Sequence, residues 1–205
     1  MGGLRIILAS ASPRRADLLR RLGLSFDVVP SAVPEDLLPG ETPETHVRRL
    51  SREKALSVQE RGSGNLIVAG DTVVVLRDRI LGKPRDRGEA VSMLMSLSGQ
   101  THRVVSGLAI SFPDSDVRVG VSTTEVTFRS FQESTARLYV ETGEPMDKAG
   151  AYGIQGMGSA LVESIHGDYH TVVGFPIPLF LQLLEAGGLR FEFGRLVQSS
   201  TMEGP

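Results

Sequence analysis

The chain has 205 residues, 40% hydrophobic and 22% charged, with a formal net charge of −2. That length supports a well-cored domain, and the near-neutral balance excludes the broadly basic surface of an extended nucleic-acid binder. Cysteine and tryptophan are absent, which excludes disulfides, zinc–thiolate sites and a catalytic thiol, and argues against an aromatic platform for single strands.

The apolar start, Met1 to Ala9, is too short for a signal peptide or membrane span, and Ile6 stands where a myristoylation motif needs Ser or Thr. No later stretch has the length to cross a bilayer. The expectation is a soluble cytoplasmic protein with neither membrane nor nucleic acid as partner.

Arg5–Ala9 reads as a short buried strand, and Pro13 opens a helix with Leu18, Leu19 and Leu22 inward, stopped by Gly23. Phe26, Val28 and Val29 predict a second strand. A Pro-rich loop holding Val33-Pro34-Glu35-Asp36 follows, then a helix from Pro43 to Glu60 closed by Gly62-Ser63-Gly64. Leu66–Ala69 and Val73–Val75 are strand-like around an interrupting Gly70-Asp71-Thr72, and Asp78-Arg79 is read as a turn into Ile80-Leu81-Gly82-Lys83-Pro84. Arg87–Leu97 is helical, with Met93, Leu94 and Leu97 inward. Val104–Phe112 and Val117–Phe128 form a hairpin about Pro113-Asp114-Ser115-Asp116. A helix over Glu133–Glu141 ends at Gly143. A glycine-rich loop (Gly150 to Gly158), a strand Ala160–Ser164 and an apolar helix Pro178–Glu185 complete the pattern. Residues 1–195 are read as a single domain and 196–205 as a flexible tail. Helices and strands alternate early and strands cluster later, which favours a twisted mixed β-sheet with helices on its faces.

Chemistry concentrates in a few places. Ser10-Ala11-Ser12-Pro13-Arg14-Arg15 joins a strand to a helix N-terminus, where unpaired N–H groups and the positive dipole end attract phosphate. Two hydroxyls and two guanidiniums there suit a polyphosphate; a capped helix with solvated arginines is the plainer reading. Lys54 falls on the apolar stripe of its helix with Val47, Leu50 and Val58, so its ammonium needs a counter-charge unless it snorkels at the stripe's edge. Asp71 lies between apolar half-strands and must be paired, ligate metal or act as a base, with Gly70 marking a bulge that re-aims it. Lys83 is a lone cation between Gly82 and Pro84, and Gln155 stands in the glycine-rich loop with an amide able to read a base edge. His166-x-Asp168-x-His170 has spacing for a metal site, but Gly167 and Tyr169 suggest a turn that scatters these side chains.

Taken together the motifs resemble the Maf family of nucleoside triphosphate pyrophosphatases. The segments are Ala9 to Arg15, Arg52-Glu53-Lys54-Ala55, Gly70 to Val74, Gly82-Lys83-Pro84, Ser98-Gly99-Gln100-Thr101-His102, Asp147 to Gly156, and Gly167-Asp168-Tyr169 with Val172 to Pro176. Ala69-Gly70-Asp71 departs from the more usual Gly-Ala-Asp. The resemblance implies two lobes with a nucleotide cleft between them, and a homodimer. It implies Asp71 as the base that activates water, Ser10, Arg15, Lys54 and Lys83 toward phosphate, Glu35 as an acidic loop residue, and Arg14, Thr72 and Gln155 in base selection. It points to hydrolysis of dTTP and UTP, or modified pyrimidine nucleotides, to the monophosphate and pyrophosphate. The 7-methyl-GTP branch fits less well. A divalent cation, Mg²⁺ or Mn²⁺, is expected on Asp71 and Glu35, because a hard ion suits carboxylate and phosphate oxygens; Asp71 as base, as metal ligand, or as both remain open. A second reading is a nucleotide-binding regulator of cell division or septum formation without turnover.

Overall fold

The computed structural model describes residues 4–59, 64–114 and 116–199. Among them, a mixed sheet of seven strands runs in the order β2-β1-β3-β5-β6-β7, with β4 on β3. The strands are β1 (Ile6–Leu8), β2 (Phe26–Val28), β3 (Leu66–Leu76), β4 (Arg79–Leu81), β5 (Thr101–Ser111), β6 (Val117–Phe128) and β7 (Val162–His166). β2 and β3 pair parallel to β1, and the remaining pairs are antiparallel.

The helices are α1 (Pro13–Arg21), α2 (Pro43–Gln59), α3 (Arg87–Leu97), α4 (Glu133–Glu141), α5 (Tyr169–Val173) and α6 (Ile177–Ala186). Pro13 opens α1 and Pro43 opens α2, where a missing N–H costs nothing. Asp86 caps α3, accepting from Glu89 N at 2.8 Å.

α2 lies across one sheet face, over Ile67, Ala69, Val73, Val75, Val105 and Ala109. The opposite face carries two separate apolar clusters. One gathers Leu66, Val68, Leu108 and Ile110 with α1 and α6; the other gathers Val74, Val104, Val126 and Phe128 with α3 and α4. Alternation puts Gly70 and Thr72 on that same face of β3, between Val68 and Val74, with Ser106 opposite Thr72. A polar seam therefore divides two lobes that share the long strands β3 and β5. The edges of β3 echo the division: β5 runs along one edge, so β1 and β4 share the other, pairing residues 66–68 and 74–76. The opening between them falls at Asp71.

Several expectations are corrected. β3 is continuous, with regular pairing from Ile67 to Val75 and no bulge at Gly70. The turn after it is Arg77-Asp78, both at positive φ as a two-residue type I′ turn requires. Strand β7 begins at Val162, after a 3₁₀ segment over Met157–Leu161. Leu196–Gln198 forms strand β9, antiparallel to β8 (Leu189–Phe191), within what reads as a tail from 196 onward. The expected helix end at Glu60, the closing Gly62-Ser63, Ser115 of the hairpin turn and residues 200–205 lie outside the described residues. No described helix is long and apolar enough to cross a membrane.

Candidate active site

The opening in the β3 edge leads into a cleft of about 650 Å³ lined by residues of both lobes. All of Ser10, Arg14, Arg15, Glu35, Lys54, Asp71, Thr72, Lys83 and Gln155 line it. The structure thus brings every residue singled out for the site into one cavity, in three groups.

The first group centres on Lys54. α2 can lie close to the sheet because β5 has Gly107 beside Asp71 in register; a Cβ there would overlap the Val47 carbonyl oxygen and come 2.7 Å from Ser51 Oγ. One turn further along α2, Lys54 Nζ donates to Asp71 Oδ1 at 2.8 Å and Glu35 Oε1 at 2.5 Å. Lys54 and Asp71 are only 5% and 7% exposed, so the pair is desolvated and neither partner snorkels to water. Glu35 is half-exposed, and its second oxygen lies 4.0 Å from Lys83 Nζ. Partial burial alone would raise the Glu35 pKa, but the hydrogen bond and charge of Lys54, with Lys83 and Arg15, hold it below the ordinary carboxylate range.

The second group centres on Arg15. Its Nη1 donates to Ser10 Oγ at 3.0 Å, Nε to the Gly174 carbonyl at 2.9 Å and Nη2 to Thr72 Oγ1 at 3.1 Å. Thr72 Oγ1 lies 2.9 Å from Ser106 Oγ, which in turn donates to the Thr171 carbonyl at 2.8 Å. A directed chain of hydrogen bonds therefore runs from α1 through β3 and β5 to α5 and fills the polar seam. Burial lowers the Arg15 pKa, opposed by the nearby charges of Asp71 and Glu35, and a guanidinium remains protonated regardless. Ser12 makes no side-chain cap on α1, and no acidic residue occupies the first turn, so this N-terminus faces the cleft without a side-chain cap.

The third group was not legible as such. Arg14 Nη1 reaches across the cleft to Asp147 Oδ2 at 3.1 Å, and Lys148 Nζ donates to Asp147 Oδ1 at 2.6 Å. Glu144 ties down the glycine-rich loop, accepting from Met157 N, Gly158 N and the Tyr139 hydroxyl. Gly150 belongs here for a steric reason. At φ +68 its N–H donates to the Gly82 carbonyl, and a Cβ would meet Val74 at 2.9 Å. Gln155 sits exposed on the rim. Glu144, Asp147 and Lys148 stand in the same charged loop segment as Gln155, the only available signal, and their partner Arg14 is 133 residues away.

Asp71 and Glu35 converge as hard oxygen donors of the kind Mg²⁺ or Mn²⁺ takes. The described residues contain no group of three or more His, Cys, Asp or Glu side chains arranged for a metal. Asp168 is spent otherwise: it caps α5, accepting from His170 N and Thr171 N.

The chain is 44% identical over 181 residues to the dTTP/UTP pyrophosphatase of Aquifex aeolicus, covering 88% of this chain and 94% of the relative. It is 48% identical over 182 residues to the dTTP/UTP pyrophosphatase of Thermococcus gammatolerans, covering 89% and 96%. Among solved structures, the Staphylococcus aureus Ham1 protein aligns over 89% of this chain and 99% of its own at 16% identity and a TM-score of 0.47, too distant to bear on substrate. The model of the Maf-like protein family matches residues 5–187, and the chain belongs to that family.

Proposed function

We propose that this protein hydrolyses dTTP and UTP to the monophosphate and pyrophosphate, with water attacking the α-phosphorus. The carrying observation is the Lys54–Asp71–Glu35 cluster at the mouth of a cleft whose other wall is the uncapped N-terminus of α1. The activity of the relatives supports the choice of nucleotide. A binding-only regulator has no use for a buried carboxylate facing anionic phosphates, so that reading is not favoured.

Asp71 accepts the proton of the attacking water as the bond from the α-phosphorus to the bridging oxygen breaks and pyrophosphate leaves. Lys54 holds the Asp71 carboxylate in place; Lys83, Arg15, Ser10 and the α1 N–H groups meet the negative charge that grows on the phosphates. Asp71 and Glu35 would hold a divalent cation together with the substrate's own oxygens, and that ion would offset charge on the leaving group. The cleft needs neither membrane nor nucleic acid, and a homodimer is consistent with this reading. Modified pyrimidine triphosphates are a further candidate substrate class for the same site.

The test is pyrophosphate release from each triphosphate with Mg²⁺ in ¹⁸O-water. The label is expected in the monophosphate, and Asp71→Asn is expected to lose about 10²–10⁴ in kcat. No release from dTTP or UTP would overturn the proposal.

A further inference from the structure

The cleft lining falls into two chemical sets. The cations Lys54 and Lys83 and the α1 N-terminus suit phosphate, and the carboxylates Asp71 and Glu35 among them are bonded to Lys54. Ala149, Tyr152 and Ile154 supply apolar surface, and Asp147 and Gln155 belong to the same loop segment. Of the other acidic side chains in the lining, Glu144 is occupied by loop N–H groups and Tyr139, which leaves Asp147 to explain. Asp147 does more than line the cleft. Arg14 Nη1 from across the cleft and Lys148 Nζ from the neighbouring residue hold its two oxygens separately, so the carboxylate is oriented while its side chain stays 61% exposed. Each oxygen has two acceptor sites and each is given one donor here.

Uracil and thymine present acceptor, donor and acceptor at O4, N3 and O2. Cytosine presents an amino donor at C4 and a bare acceptor at N3. A matching reader needs an acceptor between two donors. Resting on the pyrimidine triphosphatase reading above, we propose that Asp147 is a specificity-determining residue that accepts the N3–H of uracil or thymine. The Arg14 guanidinium and the Gln155 amide donate to the flanking oxygens. Partial burial would raise the Asp147 pKa, but Lys148 and Arg14 hold it below the ordinary carboxylate range, so it stays ionised and acceptor-only. Facing cytosine, it meets the N3 lone pair with negative charge and no proton to share.

The experiment compares kcat/KM for UTP, CTP and N3-methyl-UTP in wild type and Asp147→Asn. A site built to bond an N–H rejects a base lacking it by up to about 10⁴. The wild type is expected to disfavour CTP and N3-methyl-UTP by about 100-fold or more on the same ground. The side-chain amide introduced by Asp147→Asn can donate to the cytosine N3, so the UTP:CTP ratio is expected to fall at least about tenfold, with CTP turnover rising in absolute terms. An unchanged ratio, with UTP and CTP losing equally, would overturn the inference and leave Asp147 as a counter-charge for Arg14. Efficient wild-type turnover of N3-methyl-UTP would overturn it without any variant. A wild type inert toward every triphosphate would bring down the functional reading itself, a result distinct from an active enzyme whose base preference ignores Asp147.

Discussion

A buried ammonium between two carboxylates makes Lys54 the most constrained side chain of the site. Removing it leaves Asp71 desolvated without its partner. Breaking such a pair from one side costs about 3–5 kcal/mol, whereas removing both charges is far milder. Lys54→Met is therefore expected to lower the urea-unfolding free energy by about that amount, and Lys54→Met with Asp71→Asn to recover most of it. A loss below about 1 kcal/mol would mean that the carboxylate is as well solvated as a surface one. His102 offers a second test. It is buried beside Phe128 and Tyr152, with Nε2 2.9 Å from the Tyr152 hydroxyl and no partner on Nδ1 among the described residues. Burial pulls its pKa down to about 4. Below the ordinary value of about 6.5 the unfolded chain takes up a proton that the native state refuses. The stability this histidine contributes is thus full above pH 6.5 and declines as pH falls toward 4, by about 3 kcal/mol in total. Across pH 7 to 4.5, His102→Gln should lose about 2–3 kcal/mol less than wild type; parallel curves would refute a neutral buried imidazole. The need for a counter-charge on Lys54 was readable because an ammonium on an apolar stripe violates local patterning. Which carboxylates answered it was not, since Glu35 and Asp71 lie 19 and 17 residues away. Arg15 was read as a phosphate ligand, yet three of its N–H donors hold protein oxygens, a commitment that only tertiary structure reveals.

At the scale of elements, the site depends on how closely α2 approaches the sheet. Gly107 permits that approach, facing the Val47 carbonyl and Ser51 Oγ across a gap that would not admit a methyl group. In Gly107→Ala the obstacle is helix backbone, which cannot rotate away as a flexible side chain would. Overpacking of this kind costs about 1–3 kcal/mol, and relief requires α2 to lift, drawing Lys54 away from Asp71. The variant is expected to lose kcat for UTP well beyond its loss of folded fraction. Normal kcat with reduced stability would show that the helix position is not coupled to the site. Periodicity located α1, α2, α3, α4 and α6 because each carries an apolar face or a recognisable Pro or Gly boundary. It did not locate α5, five residues long, whose start is an Asp168 cap hidden inside a His-x-Asp-x-His spacing. Nor did it separate a continuous β3 from an interrupted one. Asp71 looks like a break in an apolar strand until Lys54 is placed against it, and then the strand runs through. The β8–β9 hairpin was missed because Leu196 and Val197 form too short an apolar run to stand out from a polar tail.

Opposite the α2 face, the molecule carries two apolar clusters, and besides Ile154, which packs against both, what joins them is covalent and ladder-like. β3 and β5 pass through both clusters, paired from Ile67 to Val75. A lobe that unfolded alone would have to break that ladder midway and expose the Arg15–Thr72–Ser106 chain in the seam. Two lobes with a cleft could be inferred only by resemblance, because nothing local marks Gly70, Thr72 and Ser106 as a boundary. The physical expectation is that the sheet and the elements packed on it unfold as a single cooperative unit despite the cleft. The chain supplies its own reporters, having three tyrosines and no tryptophan. Tyr139 and Tyr152 both belong to the second cluster, so tyrosine fluorescence follows chiefly that lobe, while far-UV circular dichroism follows the whole. Leu19→Ala empties a fully buried position in the first cluster, at a cost of about 2–5 kcal/mol. If the lobes are one unit, the fluorescence midpoint moves down with the dichroism midpoint, although the substitution lies in the opposite lobe. If the fluorescence transition stays at its wild-type denaturant concentration while dichroism splits into two steps, the shared strands do not couple the lobes. The cleft would then separate two independently stable bodies.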